Sequence, residues 1–153
     1  MSLEVITASF DHLPELAPLF DAYRVFYGQP SDVEAARAYL HERFVLGESV
    51  VFMAVLEAGS ETRAVGFTQL YPMFSSVSLR RVWILNDLYV EADVRGQRVG
   101  ERLIERAVQL AQASGAKGIQ LETAHTNTSG QKLYERLGFE REDLEYRTYF
   151  LPV

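Results

Sequence analysis

Cysteine is absent from this chain, and its absence removes disulfides, thiolate metal sites and cysteine nucleophiles together. Histidine is nearly as scarce: His12, His41 and His125 stand far apart, none at helical spacing from another. No zinc pattern is spelled out, and no metal is expected. No apolar run approaches the ~20 residues of a membrane span; the longest, such as Val50 to Leu56, have strand length. The first residues, MSLEVITASF, lack a basic segment followed by an apolar core, so the expectation is a cytoplasmic protein without a secretory signal. Positive charge is in deficit, with 15 lysines and arginines against 21 aspartates and glutamates and a net charge of −6. Nucleic-acid surfaces draw on the opposite balance, so no nucleic-acid partner is expected. Cationic partners are mildly favoured, although most of the acids serve to keep the surface soluble.

What is present is ordinary globular material: 48% hydrophobic and 24% charged residues over 153 positions. That length suits one domain, 1–153, burying roughly two thirds of the surface its unfolded chain would expose. Leu3 to Ser9 has strand character, and Leu13, Leu16, Leu19, Phe20 and Tyr23 form a helical stripe ending near Phe26. Gly28 and Pro30 break that helix. Ser31 can cap a second helix running to about Val45, with Ala35, Ala38, Tyr39 and Val45 inward. Val50 to Glu57, Ala64 to Tyr71 and Leu79 to Glu91 are expected strands, the first two joined through AGSETR. A helix over Gln97 to Ser114 follows, with Val99, Leu103, Ala107, Leu110 and Ala111 at helical spacing. Gly115 ends it before a buried strand, GIQLETA. Thr128 and Gln131 have capping-box spacing for a last helix that Gly138 stops, ahead of a strand region from Phe139 to Val153. Strands crossed by helices on both sides predict a mixed α/β sheet. The crossover from 82 to 123 predicts that its two strands are parallel.

The richest stretch is NDLYVEADVRGQRVGERLIERAVQLA, Asn86 to Ala111, where a strand meets a helix through a basic, glycine-bearing turn. A helix N-terminus leaves its first amides without intrahelical acceptors and carries partial positive charge, which suits an anion such as pyrophosphate. Arg95 and Arg98 add charge there, while Gly96 and Gly100 permit close approach or serve turn geometry and packing. The turn lacks the G-x-G-x-x-G of dinucleotide folds and the G-x-x-x-x-G-K-[ST] of triphosphatases. It resembles the acetyl-CoA turn of the GNAT superfamily of N-acetyltransferases, Gln/Arg-x-x-Gly-x-Gly/Ala. Here that turn is Arg95-Gly96-Gln97-Arg98-Val99-Gly100, with Arg98 replacing the first family glycine. Downstream, Asn127-Thr-Ser-Gly-Gln-Lys-Leu-Tyr134-Glu-Arg-Leu-Gly138-Phe139 is similar to the second family signature, N-x-x-[AG]-x-x-L-Y-x-x-x-G-F. Within the superfamily, QLYPMFSSVSLRRVWILNDLYV resembles the histone and polyamine acetyltransferases and their small bacterial relatives.

The resemblance implies the GNAT-like acetyltransferase fold and acetyl-CoA as cosubstrate. Backbone groups at Leu88, Tyr89 and Val90 would pair with the pantetheine arm, and amides of Arg95, Gly96, Gln97, Arg98, Val99 and Gly100 would hold the pyrophosphate. A widened gap between the strands at Leu79 to Glu91 and Gly118 to Thr123 would admit the arm. Tyr134 takes the family position of the acid that protonates the departing thiolate, and a thiol of pKa about 8.5 is a reasonable partner for a phenol of about 10. Asn127 would contact the cofactor arm or only cap the last helix.

An amine of pKa near 10.4 is neutral in only about one part in 2,000 at pH 7, a cost of roughly 4–5 kcal/mol that a base or desolvation must lower. Asp87 is the candidate base, with Glu122 second and bulk water third. Related polyamine enzymes carry Glu-Asp where this chain has Asn86-Asp87. Tyr23, Tyr27 and Tyr71, together with Phe74, Asn86 and Glu122, are candidates for the acceptor pocket; Phe20 belongs to the core and His125 to the surface. The expected activity is acetyl transfer to a primary amine, either a small molecule or a protein lysine, by direct attack on the thioester. The alternatives are a non-catalytic acyl-CoA sensor and an interaction domain without cofactor. A homodimer through EYRTYFLPV is a further expectation from the resemblance.

Overall fold

The computed structural model describes residues 2–142 and 146–153. Its backbone contacts group into two compact units, one ending at Glu122 and one beginning at Thr123. In the first, β1 (Ser2–Thr7), β2 (Val50–Ala58), β3 (Glu61–Ser75), β4 (Arg80–Val90) and β5 (Gly118–Gln120) form one sheet in that spatial order. The first four pair antiparallel, and β5 joins β4 in parallel. The crossover that makes them parallel runs through a long helix, Val99–Ala113, as the pattern of its sequence predicts.

Alternation along the strands gives the sheet two apolar faces. Two N-terminal helices, α1 (Leu13–Phe26) and α2 (Val33–Val45), cover one face. Leu16, Leu19 and Phe20 of α1 and Ala36 and Leu40 of α2 share a core with Val51, Met53 and Phe67. The crossover helix, α3, covers the other face: Arg106 lies over the Phe52 ring at 4.6 Å, and Val99, Leu103 and Ala107 are buried. The side of α2 that faces inward is one residue away from the expected one. Ala36 and Leu40 are buried, whereas Ala35, Ala38, Tyr39 and Val45 are exposed. The cap of α2 is also displaced by one: Asp32 accepts from the Ala35 amide at 3.0 Å, and Ser31 instead donates to buried Asp21 at 2.7 Å.

Two bulges shape the sheet. Between β2 and β3 the register slips at Ala54/Val55, and between β3 and β4 at Gln69/Leu70. In the second, Gln69 opposes Asp87 and Leu70 opposes Leu85, so Asn86 is the extra residue. The strand expected to end at Tyr71 continues through Pro72 to Ser75. Pro72 is tolerated because the ladder with β2 ends at Leu70. Beyond it β3 has β4 alone as ladder partner, the setting in which strand prolines occur.

The second unit contains α4 (Thr128–Arg136). Asn127 caps it, its side-chain oxygen accepting from the Gly130 amide at 3.1 Å. The expected Thr128/Gln131 capping box does not form; Gln131 Nε2 reaches back to the carbonyls of Ala124 and His125, each at 3.1 Å. Gly138, with φ +97°, ends the helix as expected. The expected strand region from Phe139 to Val153 is not a strand among the described residues, and Asp143, Leu144 and Glu145 lie outside them. Glu145 is also the first residue of the segment expected to pair in a dimer. Among the described residues no helix is long and apolar enough to cross a membrane, and no cluster could hold a metal ion.

Candidate active site

Two features of the first unit lie on β4 or just beyond it. Past Val90 a short 3-10 turn, Ala92–Val94, buries Val94 and is fastened to β3 by a paired contact from the Arg63 guanidinium to Asp93 at 2.8 and 2.6 Å. Arg95 turns its Nε back to the Val90 carbonyl at 3.1 Å. Gly96 then takes φ +82° and Arg98 φ +63°, both left-handed. A residue with a Cβ pays a steric cost there, which gives a physical reason for a glycine at the Arg98 position in the family pattern. The Arg98 side chain does not extend outward. It bonds Glu101, Nε to Oε2 at 3.1 Å and Nη2 to Oε1 at 2.9 Å, in the first turn of α3. The Arg102 amide bonds the Arg98 carbonyl at 3.0 Å, so α3 begins at this turn, with the amides of Val99 and Gly100 in its first turn. Gln97 is exposed in the same turn.

The second feature is a buried carboxylate. Asp87 is 5% exposed and faces the α1/α2 side of the sheet. Its Oδ2 accepts from Gln69 Nε2 at 2.8 Å and its Oδ1 from Asn86 Nδ2 at 3.1 Å, and Tyr23 of α1 bonds the same group. Burial pushes this carboxyl above its ordinary value, while the bonds from Gln69, Tyr23 and Asn86 oppose the rise. The main chain is held as well: Thr68 Oγ1 donates to the Asp87 carbonyl at 2.8 Å. Tyr71 sits two residues along β3 from Gln69, on the same face. Its hydroxyl is 2.7 Å from that of Tyr39 on α2, and burial, that bond and the nearby Asp87 charge all raise its pKa.

The other predicted residues are divided between the two units. Tyr23 is half-buried, its ring tilted 56° against that of Tyr27 at 4.9 Å between centroids, and Tyr27 is exposed at the end of α1. Phe20 is core, while Phe74 is exposed near the end of β3. Leu88, Tyr89 and Val90 are half-buried on β4. The β4–β5 ladder spans Val82 to Ile84 against Gly118 to Gln120, so among the described residues Leu88 to Val90 have a strand partner on the β3 side alone. Glu122 is exposed and stands two residues beyond β5, not on it as expected. In the second unit, His125 and Asn127 are exposed, and Tyr134 is half-buried in α4 with its ring 6.0 Å from that of Phe139. A cavity of about 230 Å³ bounded by Thr7, Ser9, Phe10, Phe44 and Ser49 contains none of the predicted residues.

Gln69 and Tyr39 were not among the predicted site residues. Tyr39 was assigned to the core. Gln69 carries a readable signal, since it interrupts the apolar run Ala64 to Tyr71, and a polar side chain inside a buried strand needs a partner.

Comparison with known proteins adds an independent line. Residues 16–139 match the model of the acetyltransferase (GNAT) family. A Bacillus subtilis (strain 168) protein described as the uncharacterized N-acetyltransferase YhfO is 46% identical over 138 residues, 90% of this chain and 89% of its own. A probable acetyltransferase of Haemophilus influenzae is 34% identical over 125 residues, 82% of each chain. The crystal structure of a probable acetyltransferase superposes with a TM-score of 0.87 at 45% identity, covering 98% of this chain and 97% of the other.

Proposed function

The chain belongs to the GNAT family of acetyltransferases, and from that premise we propose that it transfers the acetyl group of acetyl-CoA to a primary amine by direct attack on the thioester. The observation that carries this reading is Asp87: a carboxylate 5% exposed, held from two sides and raised in pKa by burial. It lies on the strand that leads into the Arg95–Gly100 turn. A carboxylate with a raised pKa is a better base for an ammonium than an ordinary one.

In the proposed sequence Asp87 takes a proton from the substrate ammonium. The freed lone pair attacks the acetyl carbonyl carbon, and backbone amides of β4 near Leu88 stabilise the oxyanion. Collapse breaks the carbon–sulfur bond, Tyr134 supplies the proton that the CoA thiolate needs, and the nitrogen sheds its second proton to restore the phenol, leaving a neutral amide. The amides of Val99 and Gly100 at the start of α3, with the backbone from Arg95 to Arg98, hold the pyrophosphate. Arg98 contributes its backbone to that cradle, because its guanidinium is engaged by Glu101. Val90, Tyr89 and Leu88 offer the β5-side edge of β4 to the pantetheine arm, and Asn127 is proposed as a second contact to that arm.

The acceptor is proposed to be cationic. Asp87 is surrounded by amide and hydroxyl groups, and the nearby guanidinium of Arg43 is taken up by Glu48 at 3.0 Å and Glu42 at 3.2 Å. Tyr23, Tyr27, Tyr71 and Asn86 would line its path. A panel of polyamines, amino acids, aminoglycosides and lysine peptides assayed with acetyl-CoA by free-thiol release tests the proposal. Release with primary amines that exceeds release with alcohols supports it. Stabilisation by CoA without release for any amine would instead mark a sensor.

A further inference from the structure

We propose that Gln69 is the positioning residue of the proton-accepting carboxylate, an inference that rests on the assignment of Asp87 as base. Gln69 is fully buried on β3, directly opposite Asp87 across the bulge at Asn86. Its amide nitrogen donates to Asp87 Oδ2 at 2.8 Å. Its carbonyl oxygen is buried with no hydrogen-bond partner among the described residues. An amide whose only interior need was satisfaction would sit with both ends paired. This one is oriented for the carboxylate and leaves its acceptor end bare.

The bulge explains the arrangement. By inserting Asn86, β4 brings Asp87 into register with Gln69, so both side chains leave the sheet on the α1/α2 face. The groups that face Asp87 there are Tyr23 from α1, Gln69 and Tyr71 from β3 and Asn86 from its own strand. Behind Tyr71 stand the Tyr39 hydroxyl and Arg43, whose guanidinium lies 4.8 Å from the Tyr39 ring centre. Among the partners that hold the carboxylate, Tyr23 and Asn86 are only partly buried or exposed; Gln69 alone is wholly inside. Its bond fixes which oxygen is presented outward and keeps the carboxylate ionised at a lower pH than burial alone would allow.

The test is the pH profile of kcat/KM for acetyl transfer in the parent, Asp87→Asn and Gln69→Met, the last an unbranched apolar side chain of similar length. Asp87→Asn defines the acid limb that belongs to the base. In Gln69→Met that limb moves to higher pH by about one to two pH units, the scale of one hydrogen bond to a charged group. Activity lost near neutral pH then returns at higher pH. A profile lowered evenly at every pH with the limb in place overturns the proposal and leaves Gln69 a packing role. If Asp87→Asn keeps the parent limb and rate, the assignment of the base fails, an outcome distinct from an unmoved limb in Gln69→Met alone. Should Gln69→Met not fold, Gln69→Glu serves in its place. Two carboxylates sharing the site push the limb upward further still, and an unmoved limb there overturns the proposal equally.

Discussion

Gly66 of β3 is where sheet, helix and site meet, and Gly66→Ala exposes how tightly they are coupled. A Cβ built at Gly66 falls 2.8 Å from the Tyr89 carbonyl oxygen, 3.4 Å from Val99 Cγ1 and 3.5 Å from Leu103 Cδ1. The first contact is with main chain on β4, so no rotamer change relieves it, and either β4 or α3 must move by a few tenths of an ångström. Inserting a methyl group into a packed interior costs about 1–3 kcal/mol. Restricting the unfolded chain returns about 0.4–1 kcal/mol. The expected net loss of about 1–2 kcal/mol lowers Tm by roughly 2–8 °C for a chain of this size. Both displaced elements carry the proposed cofactor contacts, Leu88 to Val90 on one side and the Val99 amide on the other. KM for acetyl-CoA should therefore rise more than twofold, measured by free-thiol release beside thermal melts. Gly118→Ala, where nothing lies within 4 Å of the added atom, is the control and should melt within a degree or two of the parent. A Gly66→Ala protein with parent Tm and parent KM refutes the contact between β3, β4 and α3 on which this reasoning depends.

Other outcomes follow from the proposed roles and from local geometry. Tyr134→Phe should lose about 10²–10⁴-fold in turnover, the usual worth of a positioned acid, while CoA binding by calorimetry stays as in the parent; full turnover with normal binding would remove Tyr134 from the mechanism. Because burial raises the Asp87 carboxyl above its ordinary 3.8, the folded chain holds this proton more tightly than the unfolded chain. Stability therefore falls as pH climbs through that raised value, and the deficit persists above it. Asp87→Asn should melt higher than the parent at pH 7, with the difference closing below about pH 4; a difference that does not vary with pH contradicts the assignment. At position 98, alanine keeps the left-handed strain and loses the contact to Glu101, whereas glycine relieves the strain. Arg98→Gly should therefore melt above Arg98→Ala by about 2–4 °C, and equal melting temperatures would mean that this backbone does not hold its left-handed torsion.

Periodicity made much of this fold legible in advance. Val99, Leu103, Ala107 and Ala111 define the buried stripe of α3, and the strand, helix and strand around them predict the parallel pairing that β4 and β5 show. The face of α2 was misjudged because alanines, a tyrosine and valines surround that helix, so that no stripe stands out; tertiary contact with Leu16 and Phe20 selects Ala36 and Leu40. Pro72 disguised the outer third of β3 as a loop. The turn after β4 was visible as a pattern of glycines and arginines, but the left-handed torsion that penalises a side chain at position 98 and the Arg98 contact to Glu101 three residues on were not. Asp87 was legible as an acid on an apolar strand, whereas its partner Gln69 depends on a bulge that no local pattern announces.

The short pairing of β5 with β4 has a consequence for handling the protein. From Leu88 to Val90 one edge of β4 has no strand neighbour among the described residues, and such an edge is a template for another extended chain. A cosubstrate docked along it, as proposed above, would also shield it. Concentrated protein freed of CoA should then cloud sooner than the same protein kept saturated, so that the strand proposed to hold the cosubstrate governs how long a preparation stays clear.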